Sequence, residues 1–120
     1  MPVTIKMLLD QYTEILRKIY GSHLKTVILY GSYARGDYRE DSDVDVMILV
    51  DLTDMEIKEY QRKLSDLTFD FNMDNDLDIK PIVKNEGHFL KWIQNYPFYS
   101  NVKREGVVWS SMIMEPEKIW

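Results

Sequence analysis

Asp43 and Asp45 stand one residue apart at the start of an apolar run, Val46 to Val50, within the stretch GSYARGDYREDSDVDVMILV that spans residues 31 to 50. In a strand, residues two apart share a face, with Cα atoms roughly 6.5–7 Å apart, so the two carboxylates are expected side by side. Two like charges brought to about 4 Å of each other cost about 1 kcal/mol in water and about 4 kcal/mol at the effective dielectric of a partly buried site. A cation is the natural compensation. An EF-hand calcium loop is excluded, because D-S-D-V-D has Val46 where that loop needs glycine and Leu52 where it needs a bidentate glutamate. A merely solvated acidic loop fits poorly, because Asp45 lies beyond Val44 and runs straight into five apolar residues. Just upstream, Gly31-Ser32 closes a β-branched run and opens a helical turn, a place where free backbone N–H groups and the helix dipole favour a phosphate. With Ser32 as the expected cap, the third helical position is Arg35, so no acidic side chain is expected to compete for those donors. Carboxylates and Gly-Ser turn together suit a triphosphate. Magnesium takes few carboxylates plus waters and substrate oxygens, and two such ions about 3.5–4 Å apart stabilise both oxygens of an in-line displacement.

The elements that must position these residues follow from pattern. Ile5, Leu8, Leu9, Tyr12, Ile15, Leu16 and Ile19 recur at helical spacing, with Thr4 as a candidate cap and Gly21 as the stop. LKTVILY, residues 24 to 30, reads as a strand leading to Gly31-Ser32, and residues 33 to 37 as a helical turn before the charged loop Tyr38 to Asp41. The next strand is expected over Asp43 to Val50. Thr53 and Glu56 form a capping box ahead of Ile57, Tyr60, Leu64 and Leu67. LDIKPIV, residues 77 to 83, reads as a third strand that Pro81 forces to an edge. Asn85 caps a further helix, a short one covers about 97 to 105 and ends at Gly106, and VVWSSMIM is expected to be extended. The result is an α/β (α+β) fold with a small mixed β-sheet flanked by helices. Residues 1–120 are read as one domain, with a core over about 4–95 and a C-terminal segment over 96–120.

Composition narrows the function. The formal charge of −5 advertises no basic face for long nucleic acid, and the absence of cysteine removes disulfides, thiolate metal sites and a cysteine nucleophile. The apolar runs are too short to span a membrane and the N-terminal stretch is not a signal peptide, so a cytoplasmic protein is expected. His23 and His88 lie far from the motif and read as surface residues, and Ser110-Ser111 lacks the context of a hydrolase nucleophile. The last third gathers Phe89, Trp92, Tyr96, Phe98, Tyr99, Trp109 and Trp120, which either close a small core or form a patch for a partner.

Gly31-Ser32, ten residues, then Asp43-Val44-Asp45 matches the GS-x10-DxD signature of the DNA polymerase β-like nucleotidyltransferase superfamily, and with Ala34-Arg35-Gly36 the stretch resembles its minimal nucleotidyltransferase (MNT) branch. The motif itself covers residues 31 to 46, and the order of elements from 4 to about 95 agrees with that family's core. The resemblance implies a polymerase β-like fold and transfer of a nucleoside monophosphate, with pyrophosphate released. It implies Asp43 and Asp45 as metal ligands, Gly31 and Ser32 as phosphate contacts, and a third metal-binding carboxylate that helps deprotonate the acceptor. For that third role Asp78 is favoured over Asp76, being flanked by Leu77 and Ile79. Arg35 is expected either to bind the leaving pyrophosphate or to pair with Asp37 or Glu40, and Lys80 to balance the aspartates or contact phosphate. The chain is too short for the extra domains of a polymerase. The family's best-known arrangement then implies an antitoxin that uses Mg²⁺ and ATP to add AMP to a tyrosine of a HEPN-domain ribonuclease toxin. A small-molecule nucleotidyltransferase of the aminoglycoside type, its pocket completed by a second copy, is the alternative, as is a non-catalytic module that binds nucleotide or a partner.

Overall fold

The structure, a computed structural model, describes residues 3–111. Helix α1 (Val3–Tyr20) leads through a 3-10 turn into β1 (Leu24–Tyr30), and the four-residue helix α2 (Ser32–Arg35) precedes β2 (Val44–Val50). Then follow α3 (Asp54–Asn75), β3 (Ile79–Asn85), α4 (Glu86–Trp92), α5 (Pro97–Glu105) and β4 (Val107–Ser111). Thr4 lies inside α1 and does not cap it. Thr53 and Glu56 form the expected capping box on α3, and the Asn85 side chain accepts the His88 N–H at the start of α4. Among the described residues no helix is long and apolar enough to cross a membrane.

The four strands lie in the order β3-β2-β1-β4. β1 is antiparallel to both β2 and β4, whereas β2 and β3 run parallel, so the sheet is mixed. Pro81 falls on β3, an edge strand, where its missing N–H costs no ladder bond. β3 starts two residues later than the expected LDIKPIV, because Asn72 clamps Ile79: the Ile79 N–H donates to Asn72 Oδ1 (2.9 Å) and Asn72 Nδ2 donates to the Ile79 carbonyl (3.1 Å).

The continuous apolar character of β1 and β2 reflects burial on both faces. Val27, Leu29, Val44, Val46, Ile48 and Val50 point to one side and join Leu9, Tyr12 and Leu16 of α1 and Leu64 and Phe71 of α3 in the larger core. Ile28, Tyr30, Met47 and Leu49 point to the other side, against Phe89, Ile93, Tyr99 and Val102. Strand alternation therefore turns Asp45 toward the α4–α5 side, where β2 reaches its N-terminal end. Tyr12 Oη and Thr68 Oγ1 share a hydrogen bond of 2.7 Å that ties α1 to α3 across the larger core.

Leu64 is fully buried between α3 and the sheet. Leu64→Ala is expected to lower unfolding free energy by about 2–5 kcal/mol in urea titrations, the usual cost of a buried leucine cavity. Met55→Ala, at a position 78% exposed, should change it by less than about 0.5 kcal/mol.

Candidate active site

The backbone leaves β1 at Gly31 with φ 77° and ψ −156°, a conformation that side chains resist. Space is a second reason for glycine: a Cβ at Gly31 would lie 2.2 Å from Asp45 Oδ2. Gly31, not Ser32, is the N-cap of α2; Ser32 is the first helical residue, half-buried. The Gly31 carbonyl accepts the Ala34 and Arg35 N–H groups at 3.1 and 3.0 Å, and Gly36, at φ 91°, closes the turn onto the Ser32 carbonyl.

Antiparallel pairing sets Asp45 opposite Tyr30, one residue before that turn. Asp43 lies just before β2, so the expected strand is one residue shorter at its start. Parallel pairing of β2 with β3 brings in the third carboxylate: the Val44 N–H donates to the Asp78 carbonyl at 2.9 Å, next to Val44 and Ile79 in register. Asp78 thus meets Asp43 side by side. Asp76 ends α3 in the left-handed conformation (φ 52°) and lines the same cleft as Asp78. A hydrogen bond to Asp43, and after it burial, hold the Asp78 carboxyl above the usual carboxylate range, against the pull of Lys80. Asp45 is raised as well, first by burial and then by the charge of Asp43, with Lys80 and Arg35 opposing. Burial, with the Asp45 charge behind it, pushes the Tyr30 phenol up to about 12, so Tyr30 stays a neutral donor.

Two cations balance the acids. Lys80 Nζ lies 3.6 Å from Asp43 and 3.8 Å from Asp78, a charge lodged between two carboxylates. Arg35 pairs with Asp37 at 3.3 Å and with Glu105 of α5 at 3.1 Å, and its expected alternative Glu40 is not a partner. The Gly31 N–H also donates to Glu105 (3.3 Å). An acid does compete for the turn's donors, contrary to the sequence expectation, and it comes from the far end of the chain. Two adjoining clefts result. One, of about 330 Å³, is lined by Gly31, Ser32, Arg35, Asp43 and Asp45 on one wall and by Phe98, Asn101 and Glu105 of α5 on the other. The second, of about 310 Å³, carries Glu40, Asp41, Asp76 and Asp78, and Ser42 borders both.

The donor set suits a magnesium ion. Among the described residues no three acidic or histidine side chains close into a metal cage, but magnesium is held by one or two carboxylates with water and phosphate oxygens completing the shell. The raised Asp45 and Asp78 and the lodged Lys80 ammonium all mark a place short of positive charge.

The α5 wall was missed in the sequence. Phe98, Asn101 and Glu105 recur at helical spacing, a usable signal, but nothing local shows that α5 folds over Gly31. His23 is half-exposed and bonded to Asp51 at 2.7 Å, and His88 is exposed beside Trp92, Tyr96 and Tyr99. Of the aromatics of the last third, Phe89 and Tyr99 are buried in the core, whereas Tyr96 and Phe98 are about two-fifths exposed. Trp109 Nε1 donates to Asp10 at 3.0 Å, and Trp120 falls outside the described residues.

The raised carboxyls give a pH signature. Asp45 and Asp78 hold protons more tightly folded than unfolded, so stability falls as pH rises from the ordinary value near 3.8 through the folded one, and the penalty persists at neutral pH. Asp45→Asn is therefore expected to raise the metal-free Tm at pH 7 and to leave it nearly unchanged at pH 3. Thermal melts at both pH values check this; no gain at pH 7 refutes it.

Comparison with known proteins agrees with this geometry. The model of the nucleotidyltransferase domain family matches residues 9–97. A Methanocaldococcus jannaschii protein described as a putative protein adenylyltransferase is 36% identical over 100 residues, 83% of this chain and 92% of its own length. The protein adenylyltransferase MntA of Thermococcus cleftensis is 32% identical over 78 residues, 61% of this chain and 77% of its own. In fold, the chain is similar to one in a solved structure of a tri-AMPylated Shewanella oneidensis HEPN toxin in complex with an MNT antitoxin, with TM-score 0.51, 16% identity, and coverage of 95% of this chain and 78% of that one. By sequence match, motif spacing and sheet topology alike, the chain belongs to the nucleotidyltransferase domain family.

Proposed function

We propose that the chain transfers AMP from ATP to a hydroxyl of a partner protein, and that the partner is a HEPN-domain toxin for which this chain is the antitoxin. The observation that carries the reading is the meeting of two chemistries at one point. An anion-accepting turn, Gly31-Ser32 with Arg35, lies against Asp45, and the β2–β3 register sets Asp78 beside Asp43. Relatives named protein adenylyltransferases and the likeness to a toxin–antitoxin complex support the choice of acceptor.

In this reading Gly31, Ser32 and Arg35 bind the outer phosphates, with the guanidinium on the pyrophosphate that leaves. Asp43 and Asp45 would hold magnesium, with Asp78 completing a second position; when bound, the ions supply positive charge to the phosphate oxygens. Asp78, set beside Asp43 by the β2–β3 register, receives the proton of the acceptor hydroxyl. The hydroxyl oxygen forms a bond to the α-phosphorus and the bond to the pyrophosphate oxygen breaks, so the acceptor carries AMP. More than half of the Asp78 and Lys80 side-chain surface is exposed, which suits an acceptor arriving on another molecule. A second reading has its own support. The cleft of Glu40, Asp41, Asp76 and Asp78 is acidic, which suits a cationic acceptor, either a basic protein segment or an aminoglycoside.

Intact mass spectrometry after incubation with ATP and Mg²⁺ tests both. With a HEPN-domain protein as the candidate acceptor, one or more AMP additions are expected on it, and none with the Asp43→Ala/Asp45→Ala double variant. AMP on an aminoglycoside and none on protein would favour the second reading. No AMP on either acceptor, despite a stable complex with the HEPN protein, would leave a binding module.

A further inference from the structure

Two of the donors assigned above to phosphate already hold an anion. The Gly31 N–H donates to Glu105 Oε1 at 3.3 Å, and Arg35 Nη1 donates to both Glu105 oxygens, at 3.3 and 3.1 Å. The Glu105 side chain is 19% exposed, against 46% for Arg35, so the carboxylate sits on the inner side of the guanidinium. Its position is fixed by the residue that follows. A Cβ at Gly106 would lie 2.3 Å from the Val102 carbonyl oxygen and 2.8 Å from Ile28 Cγ2, so the end of α5 is pressed onto β1 with no room for a side chain. The Gly106 N–H closes the helix onto the same Val102 carbonyl at 2.7 Å.

Carboxylate and phosphate oxygens seek the same N–H and guanidinium donors, so only one of them can be fully served. Charge works in the same direction. Glu105 adds to the burial and the Asp43 charge that already disfavour the ionised Asp45, and an anion entering the cleft meets all three acids on its walls. A whole nucleotide has other contacts to set against this. Its base and ribose can reach the Phe98 and Asn101 end of α5, seven and four residues from Glu105, or about 10 and 6 Å along the helix. Free pyrophosphate has no such compensation.

We propose that Glu105 is a product-release residue: its carboxylate occupies the phosphate position on Gly31 and Arg35, the nucleotide's outer phosphates displace it, and it returns as pyrophosphate leaves. The proposal rests on the nucleotide reading of the site and adds a direction to it. Glu105 weakens binding of any phosphate that takes its place on those donors, and pyrophosphate, with no base or ribose to hold it, is then the ligand held least. No covalent bond changes in the exchange; one anion replaces another on the same donors.

Calorimetric titration of the full chain and of Glu105→Gln with pyrophosphate, and separately with a non-hydrolysable ATP analogue, tests the assignment without acceptor or turnover. The variant is expected to bind pyrophosphate roughly tenfold tighter or more, the scale of one charge-assisted hydrogen bond, and the analogue by a comparable factor. Circular dichroism and a thermal melt establish that the variant is folded. If it is not, Glu105→Asp, which keeps the charge and shortens the reach, is titrated instead, with the same tightening expected in smaller measure. Unchanged or weaker pyrophosphate binding by a folded variant overturns the proposal and makes Glu105 a residue that orients Arg35. If neither protein binds either ligand at millimolar concentration, the nucleotide reading itself fails, and the two failures are distinct.

Discussion

The site depends on the close approach of the Gly31 backbone to the Asp45 carboxylate. Register places Tyr30 opposite Asp45, and the next residue has no space for even a β-carbon. The chain must therefore turn there in a conformation open to glycine, and α2 begins at once, with Arg35 at its end. The anion-accepting turn and the Asp45 carboxylate are held in close approach by a sheet register that the two-sided core enforces. A one-residue slip of β2 against β1 would turn Asp45 into the larger core.

Charge in the cleft is arranged by position. Lys80 answers Asp43 and Asp78 on the β3 side, Arg35 answers Glu105 and Asp37 on the α5 side, and Asp45 between them draws on the longer-range charge of both. Asp45 is thus the least directly neutralised of these acids, and the place where added positive charge would offset most. Exposed ion pairs of this kind contribute little to stability; their value here is in setting which charged species the cleft accepts.

Much of this was legible in the sequence because it is written locally. Gly-Ser, Asp-Val-Asp and the spacing between them fall within 15 residues, and the capping box at Thr53, the Asn85 cap and the stop at Gly106 are each decided by a few neighbours. What was missed is non-local. The start of β3 is set by Asn72, seven residues upstream, and the N-cap of α2 passes to Gly31 because Asp45 crowds it from another strand. The contact between Gly31 and Glu105 joins residues 74 apart, and no helical periodicity reports which part of the molecule α5 will cover. Local rules described one wall of the cleft, and tertiary packing supplied the other.

The two faces of the sheet are unequally built. Among the described residues, one carries the long helices α1 and α3 over a core of eighteen buried residues, the other α4 and α5 over eight. Segments that bury less apolar surface open at lower free energy than the body of a domain. The wall bearing Phe98, Asn101 and Glu105 belongs to the lighter face, whereas the carboxylates are anchored on strands shared by both. The molecule can thus breathe at the α5 wall of the cleft while Asp43, Asp45 and Asp78 stay in register, a division between a yielding half and a rigid half set by how unequally the two faces are packed.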